Sequence, residues 1–503
     1  MTISRRKALG GAASILAAVP IANSASAAAP RAPTKEDFGA LPSKQEIWDQ
    51  MLFLVNCGSR NTAFPGHVKF VNYMAQKLGE CPGVKVSREG YSFDQWVSTN
   101  YTLSLQTGNQ RRDLHATSVY PYSGKTGPKG VTAQLINLGR TTPNEVGGSN
   151  PIKMDESVRG KIVLLTSPVH GFPFGTNFKV WGSYEKDVML PDRIQEAIYQ
   201  NRSAPPLDQF KQAGAVGVIM AWEGVTDENA EGQYAPFGRK YADIPCLWVG
   251  EKTGAELRQA AAQGGRATMV LEAKINPNTP TETISGFLQG ASDETILVHT
   301  HSDGPNAVEE NAPIGVVALA KYLSNLPKGT LKRSYLFTMT AGHMAYAPVP
   351  KSWEAFKENH PDLIKRIVGA LVFEHLGSRS WIDRDGAYVP SGQNQTTMII
   401  TQSGTLADLA LKSCVGTIDD RMVAVNPVAH RYTGESGGVI EAGIPTIGIM
   451  PAPSYLLKES SNCGIERMDP RLYRAQLENF TRMLRRMDGM SREQLAGAKP
   501  LGL

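Results

Sequence analysis

The sequence has 503 residues, of which 41% are hydrophobic and 20% are charged, and its formal net charge is +5 at pH 7. One hydrophobic core stops growing at roughly 250–300 residues, so this length predicts more than one domain. The composition excludes a disordered chain, a collagen-like chain and a small disulfide-stapled protein. A surplus of five positive charges is too small to indicate a dedicated nucleic-acid-binding protein.

The N-terminal segment has the pattern of a secretory signal peptide. A basic run at residues 5–7 precedes an apolar stretch over 8–22 and small residues that end at Ala28. A basic start, a short apolar middle and an Ala-x-Ala-like end are typical of such signals. The apolar stretch is shorter than the roughly 20 residues of a membrane span and contains Pro20, which argues against a membrane anchor. The paired arginines resemble a twin-arginine export signal, although Ala8 stands where that family has Phe.

Cleavage of this segment would remove three positive charges and no acidic residue, so the net charge would fall from +5 to +2. No later apolar run is long enough to span a membrane. We therefore expect an exported protein, periplasmic or extracellular, that binds neither nucleic acid nor the membrane once the signal is removed.

The cysteines exclude two common motifs. None of them forms a Cys-x-x-Cys pair, which rules out a zinc ribbon and a thioredoxin-type site. An oxidising compartment would permit a disulfide, but the odd number leaves at least one thiol free. We expect most of them to be small buried residues: Cys57, Cys81, Cys246, Cys414 and Cys463.

Residues from about 126 to 280 predict a small α/β module with strands over 158–165, 216–222 and 244–249 and helices over 207–214 and 254–262. Its segments RGKIVLL, FKQAGAVGVIMAW and IPCLWVGEKTGAEL resemble the protease-associated domain that is inserted in several exopeptidase families. On its own the module has no titratable cluster, so a spacer or lid without chemistry is the simpler interpretation.

The remainder predicts a mostly parallel α/β sheet, because buried strands alternate there with amphipathic helices. Helices are predicted over 69–80, over 314–326 with Asn311 as N-cap, and after Asp469-Pro470. The predicted strands of this half are 294–298, 335–340, 368–373 and 446–450.

Together these patterns predict the following organisation: a signal peptide (1–28), a linker (29–45), a peptidase-like domain in two pieces (46–125 and 281–490), the insert (126–280) and a tail (491–503).

Polar residues gather where the predicted strands end. In open α/β sheets, ligands bind beyond the carboxyl ends of the strands. Imidazole binds zinc, and a nearby carboxylate can orient the ring, so His301 and Asp303 suit a metal site. Glu310 and Glu374 would complete a set of three ligands and leave a position open for water. His343 follows another of these strands.

These residues carry a resemblance. The segments ILVHTHSDGPNAVEENAPIGVVALAKYL, KRSYLFTMTAGHM, IVGALVFEHLG and GVIEAGIPTIGIM are similar to the co-catalytic zinc aminopeptidases of peptidase clan MH. That family includes secreted aminopeptidases, glutamate carboxypeptidases and the transferrin-receptor ectodomain, often with a protease-associated insert. The similarity covers most of residues 45–490.

For the first metal, the resemblance implies that His301 is a zinc ligand and that Asp303 orients it. Glu310 stands where the family has an Asp that bridges two metals, and Glu374 where it has an Asp ligand of the first metal. All these side chains remain competent for their roles.

For the second metal, the resemblance implies a Glu-Glu pair and a late His. Here those positions hold His343, Met344 and Leu456. A thioether and an aliphatic side chain do not bind zinc, so we expect a single zinc ion. His343 would then replace the family glutamate as general base, since its ordinary pKa of about 6.5 suits neutral pH. His299 and His375 are reserve ligands.

Residues 434–438 match Gly-x-Ser-x-Gly, the nucleophile elbow of serine hydrolases. That fold requires the order Ser, acid, His, and the last histidine, His430, precedes Ser436. We therefore expect this segment to line the cleft. The predicted substrate contacts are Glu435, Ser436, Tyr455 and His375.

Two functions remain open. The first is an exported metallopeptidase-like hydrolase that cleaves a peptide or other amide bond with one metal ion. The second is a metal-free binding protein on the same fold, which Met344 and Leu456 favour. The retained polar residues at the first metal position favour the hydrolase.

Overall fold

The computed structural model describes residues 37–144, 148–183, 193–194, 196–346, 352–428 and 434–497. The predicted signal peptide, residues 29–36 of the predicted linker, His430 and the last six residues of the predicted tail lie outside this part of the chain.

The described residues form nineteen strands, most of them short and buried on at least one face. They are β1 (Val84–Thr107), β2 (Gln110–Leu114), β3 (Ser118–Val119), β4 (Val131–Arg140), β5 (Ile162–Pro168), β6 (Phe172–Pro173), β7 (Phe178–Ser183), β8 (Arg193–Ile194), β9 (Gly217–Glu223), β10 (Cys246–Val249), β11 (Arg266–Leu288), β12 (Ser292–His301), β13 (Arg333–Thr340), β14 (Ile367–Phe373), β15 (Arg379–Arg384), β16 (Ala387–Asn394), β17 (Thr397–Ile400), β18 (Met422–Pro427) and β19 (Thr446–Pro451).

Fourteen α-helices lie between or beside these strands in the same part of the chain, together with 3-10 turns at Glu156–Val158, Ala197–Tyr199 and Ile465–Arg467. The helices are α1 (Lys44–Val55), α2 (Pro65–Gly79), α3 (Phe174–Asn177), α4 (Gln200–Ser203), α5 (Asp208–Gln212), α6 (Asp227–Ala230), α7 (Glu251–Ala262), α8 (Ala312–Ser324), α9 (Ser352–Asn359), α10 (Pro361–Arg366), α11 (Gly404–Cys414), α12 (Ser436–Glu441), α13 (Pro470–Gly489) and α14 (Arg492–Leu495).

A single large sheet organises the chain. Its strand order is β3-β10-β9-β5-β4-β11-β13-β12-β14-β19-β17-β18-β7, with β1 paired to β11 and β2. In the centre, β13, β12, β14 and β19 run parallel to one another. On either side of this block, β11 and β17 are antiparallel to it. The predicted α/β fold with a mostly parallel central sheet flanked by helices is confirmed.

The largest apolar core lies where α1, α2, α8 and α13 cover the central strands. Its centre includes Phe373 and Phe480, whose rings stack at 4.8 Å. The parallel strands β4, β5, β9 and β10 have two apolar cores of their own, one of them covered by α7.

Hydrogen bonds at the start of α8 hold the loop that follows the carboxyl end of β14. Asn311 is at the N-cap position, as predicted, but its side chain makes no capping hydrogen bond. Instead its Nδ2 donates to the carbonyl of Leu376, and its Oδ1 accepts from the Leu376 N–H. Helix α8, which follows β12, is thereby joined to the loop that follows β14.

All five cysteines carry free thiols in the structure. None of the helices in the described ranges is long and apolar enough to cross a membrane.

The buried carboxyl group of Asp419 leads to a prediction about stability. It accepts hydrogen bonds only from amides, those of Asn479 at 3.2 Å and Gln476 at 3.4 Å, and burial raises its pKa to about 6. Because the folded state holds this proton more tightly than the unfolded state, Asp419 lowers stability as the pH rises from about 4 to about 6. We expect Asp419→Asn to gain stability relative to the wild type over this interval, by about 1–3 kcal/mol at pH 8.

The measurement is urea unfolding of both proteins at several pH values. Asp420→Asn, at the exposed neighbouring position, should show no such trend. A stability difference between Asp419→Asn and the wild type that does not change with pH would contradict the prediction.

Candidate active site

Three neighbouring parallel strands bring the polar residues to one edge of the sheet. His301 is the last residue of β12, His343 follows β13 by three residues, and Glu374 and His375 directly follow β14. Because the carboxyl ends of adjacent parallel strands meet at the same edge, these side chains lie together.

His301 and His375 present the same ring nitrogen to a common space. Their Nδ1 atoms face carbonyl oxygens, that of Asp303 at 2.9 Å and that of Pro451 at 2.6 Å. A carbonyl can only accept, so we assign the ring proton of each neutral imidazole to Nδ1, and its Nε2 then carries a lone pair. Both Nε2 atoms are buried without a hydrogen-bond partner.

Glu309 supplies a carboxylate to the same space. Its Oε2 lies 3.0 Å from Nε2 of His375, and its Oε1 lies 3.3 Å from Nε2 of His343. Burial acts to raise the pKa of Glu309, but the surrounding imidazoles, His375 first among them, lower it below its usual range. The carboxylate therefore stays ionised.

Within the described residues, one group of side chains could hold a metal ion: His301, Glu309 and His375, whose ligand atoms all lie within 4.8 Å of one another. Two neutral imidazoles and one carboxylate form a ligand set found in catalytic zinc sites. The sequence interpretation chose Glu310 and Glu374 with His301, and neither of these two belongs to the group.

Glu310 has a different partner. Its Oε1 accepts a hydrogen bond from Nε of Arg60, and both side chains are fully buried. Glu310 is thus committed to an ion pair, and the carboxylate in the group that could hold a metal ion is that of its neighbour Glu309. The sequence could not show this, because Arg60 lies 250 residues earlier in the chain.

Glu374 lies beside the group of His301, Glu309 and His375 but is not one of its members. Its Oε2 is 3.4 Å from Nε2 of His375 and 3.9 Å from Nε2 of His301. Its Oε1 accepts from the backbone N–H of Glu435 at 2.8 Å. One oxygen is therefore fixed, and the other is directed at the space between the two imidazoles.

Asp303 acts on the backbone and not on the imidazole of His301. Its buried carboxylate accepts from the N–H groups of Gly342 at 3.3 Å, His343 at 3.3 Å and Met344 at 3.0 Å, and also from the Thr62 hydroxyl. The ring is oriented by the backbone carbonyl of Asp303, so the predicted role of this carboxylate is corrected. It holds the loop that carries His343.

His343 lies between two carboxylates. Its Nδ1 is 2.7 Å from Oε1 of Glu435, and its Nε2 is 3.3 Å from Oε1 of Glu309. Burial acts to lower the pKa of His343, but these two carboxylates raise it well above the ordinary value. The ring is held between His301 and Phe237, with centroids at 4.2 and 4.9 Å. A protonated imidazole is a proton donor, so the geometry does not suit the predicted role of His343 as base.

His299 lies on the other side of Glu435 from His343, deeper in the protein. Its Nε2 lies 3.6 Å from Oε2 of Glu435, and its Nδ1 lies 2.7 Å from the Thr338 hydroxyl. It is fully buried and does not belong to the metal-binding group.

The predicted substrate-contacting residues divide into two groups. Glu435 and His375 line a cavity of about 400 Å³ at the strand ends, but Ser436 and Tyr455 do not. Ser436 is buried at the start of α12, and the Tyr455 hydroxyl donates to the carbonyl of Arg379 inside the core. We refer to this space as the main cavity.

The main cavity is lined by aromatic side chains, here called the aromatic wall, and by carboxylates, and its described lining contains no Lys or Arg. The aromatic side chains lie far upstream in the sequence, where no motif marks them: Phe172, Phe178, Tyr199 and Phe237. The carboxylates are Glu309, Glu354, Glu374, Glu435 and Glu441.

No protein-family model and no curated protein matches the sequence. Solved structures do match. A peptidase M28 precursor from Shewanella amazonensis SB2B has a TM-score of 0.64 at 13% identity, covering 89% of this chain and 94% of that one. A zinc aminopeptidase from Bacillus subtilis has a TM-score of 0.59 at 16% identity, covering 89% and 96%. An aminopeptidase from Aneurinibacillus sp. strain AM-1 has a TM-score of 0.55 at 15% identity, covering 88% and 93%.

The chain has the same fold as these peptidase structures. The resemblance in fold that the sequence motifs predicted is confirmed along nearly the whole chain. At 13–16% identity these similarities establish the fold alone. The chemistry of the site must be argued from its own residues.

Proposed function

We propose that this chain is a metal-dependent hydrolase that cleaves a peptide or other amide bond, with one metal ion bound by His301, Glu309 and His375. The observation that carries the proposal is the convergence of two imidazole Nε2 atoms and a carboxylate within 4.8 Å of one another. The zinc-aminopeptidase fold supports the same class of reaction.

The donor set fits a metal ion. Nε2 of His375 and Oε2 of Glu309 are 3.0 Å apart, yet neither makes a hydrogen bond. A carboxylate oxygen and a ring nitrogen this close in a buried space need a cation between them, either a proton on Nε2 or a metal ion. A zinc ion bound there would activate a water molecule and polarise the substrate carbonyl.

A second ion is not part of the proposal. Met344 and Leu456, which stand where the resemblance places ligands of a second metal, are both nearly fully buried among apolar residues. Neither side chain offers an oxygen or nitrogen donor.

The side chains around the group can move protons. In this proposal Oε2 of Glu374 accepts a proton from the attacking water, because its other oxygen is held by the Glu435 N–H. Nε2 of His343 donates a proton to the departing amine nitrogen, and Glu435 stabilises the charged ring through Nδ1. The aromatic wall would exclude bulk water from the reacting atoms.

The lining of the main cavity indicates the substrate. Its aromatic side chains favour an apolar group beside the bond that is cleaved, and its carboxylates favour a positive group such as a free amine. We therefore propose a peptide or small amide that carries both.

We further propose that residues 126–280 form a protease-associated insert and that residues 1–28 direct export. The parallel strands β4, β5, β9 and β10 with their own apolar cores support the first of these. Because Phe172, Phe178 and Phe237 lie in this segment and line the main cavity, the insert would do more than act as a spacer.

The second candidate is a metal-free binding protein, which the apolar surroundings of Met344 and Leu456 favour. Elemental analysis of the purified full chain separates the two candidates. We expect close to one equivalent of zinc, with loss of hydrolytic activity on chelation and recovery when zinc is returned. Complete folding with no stoichiometric metal would support the binding protein and contradict the hydrolase.

Gly434 provides a test of the role of Glu374. It has φ +65°, and a Cβ there would lie 2.4 Å from Oε1 of Glu374 and 2.6 Å from the sulfur of Met450. We expect Gly434→Ala to displace the Glu374 carboxylate and lower kcat about 100-fold with the zinc content unchanged, since a misplacement of about 1 Å is enough for that loss.

The matched control is Gly443→Ala. It introduces a side chain at φ +76° with no atom within 4 Å, so it causes backbone strain without the contact. Equal losses of kcat in the two variants would mean that strain, and not displacement of Glu374, explains the effect.

A further inference from the structure

A second cavity, of about 540 Å³, shares no lining residue with the main cavity in the described part of the chain. This volume is in the range of small-molecule binding sites. Most of its wall comes from the chain before α2, from the middle of β1, and from the loops around residues 231–234 and 459–463.

Two of these loops are joined by backbone hydrogen bonds. The N–H of Tyr234 donates to the carbonyl of Leu457 at 2.8 Å, and the N–H of Glu459 donates to the carbonyl of Gly232 at 2.8 Å. Gly232 has φ +72°, and a Cβ there would lie 2.3 Å from the carbonyl oxygen of Glu459. The backbone that presents the Glu459 carboxylate to the second cavity is therefore tightly held.

The charge of the second cavity is negative. Its lining contains the carboxylates of Glu231 and Glu459 but no Lys or Arg among the described residues. Glu231 lies 2.6 Å from Nε2 of His115. Glu459 accepts a neutral hydrogen bond from Nδ2 of Asn61 at 3.0 Å and has no basic partner in the described structure. Glu459 is exposed to solvent at the edge of the cavity, and a carboxylate without a basic partner attracts a cation.

Two buried amides add acceptors to the same lining. Asn61 is 4% exposed and Gln233 is fully buried, and the side-chain oxygen of each accepts no hydrogen bond. Their amide nitrogens are in use, donating to Glu459 and to the carbonyl of Asn229. Buried polar atoms are normally satisfied, so a ligand that supplies donors would match them.

Aromatic rings complete the second cavity. Trp96 is fixed by a hydrogen bond from its Nε1 to the carbonyl of Ser123 at 2.9 Å, and Tyr101 is 37% exposed. Phe64 and Tyr234 line it as well. Aromatic faces beside a carboxylate favour a cation with an apolar body, because such a ligand gains cation–π attraction as well as apolar contact.

We propose that the second cavity binds a small organic ammonium ion. Its N–H groups donate to Glu459 and to the unpartnered oxygens of Asn61 and Gln233, and its apolar part lies against the aromatic rings. This site is separate from the proposed catalytic group and does not depend on the proposed hydrolase activity.

The test is calorimetric titration of the full chain with phenethylamine and, as an uncharged probe of similar shape, 2-phenylethanol. We expect the alcohol to bind at least about tenfold more weakly than the amine. Glu459→Gln keeps the acceptor for Asn61 but removes the charge, and it should weaken amine binding about tenfold or more. Glu256→Gln, an exposed position outside both cavities, should bind like the wild type.

Two further variants distinguish the cavities. Tyr101→Ala, at a partly exposed position, should weaken amine binding several-fold and provides a test if Glu459→Gln fails to fold. His301→Ala should leave unchanged the part of amine binding that Glu459→Gln weakens, even if the proposed hydrolase activity proves wrong. Equal affinity for the alcohol, unaltered amine affinity in Glu459→Gln, loss of binding only in Glu435→Gln, or no binding at millimolar amine would each overturn the proposal.

Discussion

His301→Ala should reduce the zinc content of the purified protein from about one equivalent to less than about 0.1 and lower hydrolytic activity at least about 1000-fold. The reason is that Nε2 of His301 is one of the three ligand atoms of the proposed metal site, and it is buried where water cannot replace it readily. The measurements are elemental analysis and kcat/KM on an amide substrate with an apolar side chain and a free amine.

The control for this variant is His360→Ala. His360 is a partly exposed histidine that lies 3.0 Å from Glu89, away from the main cavity. It should retain both zinc and activity. If His301→Ala keeps its zinc, the ligand group is wrong; if it loses zinc but keeps activity, the metal has no catalytic role.

The second large effect is on stability. Arg60→Met should lower the free energy of unfolding by about 3–5 kcal/mol, because it leaves the fully buried carboxylate of Glu310 without its partner. Met fills a similar volume, so lost packing contributes little. Urea unfolding monitored by circular dichroism measures the change.

Two comparisons make this result specific to the buried pair. Arg88→Ala breaks the ion pair with Glu282, which is partly exposed, and should cost less than about 1 kcal/mol. Arg60→Met combined with Glu310→Leu removes both charges and should recover much of the loss. A loss below about 1 kcal/mol for Arg60→Met alone would contradict the importance of the pair.

The spacing of apolar residues in the sequence was sufficient to predict the central parallel strands and the helices beside them. Buried strands such as β14 and amphipathic helices such as α8 depend on local patterns, which a sequence shows directly. Strands β17 and β18 and the hairpin of β15 and β16 were not predicted. The parallel arrangement explains why placing histidines at strand ends was enough to bring His301 and His375 together.

The particular ligands could not be chosen in the same way. Glu309 and Glu310 are adjacent, and their different roles depend on Arg60, which reaches Glu310 from a distant part of the chain. The role of His343 depends similarly on Glu435, 92 residues later. Such pairings depend on tertiary packing, which no local pattern contains.

The aromatic wall was invisible to sequence reasoning for the same reason. Phe172 and Phe237 follow no motif, and only the folded chain brings them to the strand ends. The predictions for export, for the insert boundaries and for the substrate remain predictions.

The long antiparallel pair of β1 and β11 has a mechanical consequence. One end of β11 pairs with β4 and the other with β13, so a single strand connects the sheet region of β4, β5, β9 and β10 to the strands that carry the imidazoles. The ladder between β1 and β11 is interrupted near Phe93 and Ser98. Because a bulge bends the strand that contains it, any movement of β4, β5, β9 and β10 relative to the central strands should bend the ribbon at these two points.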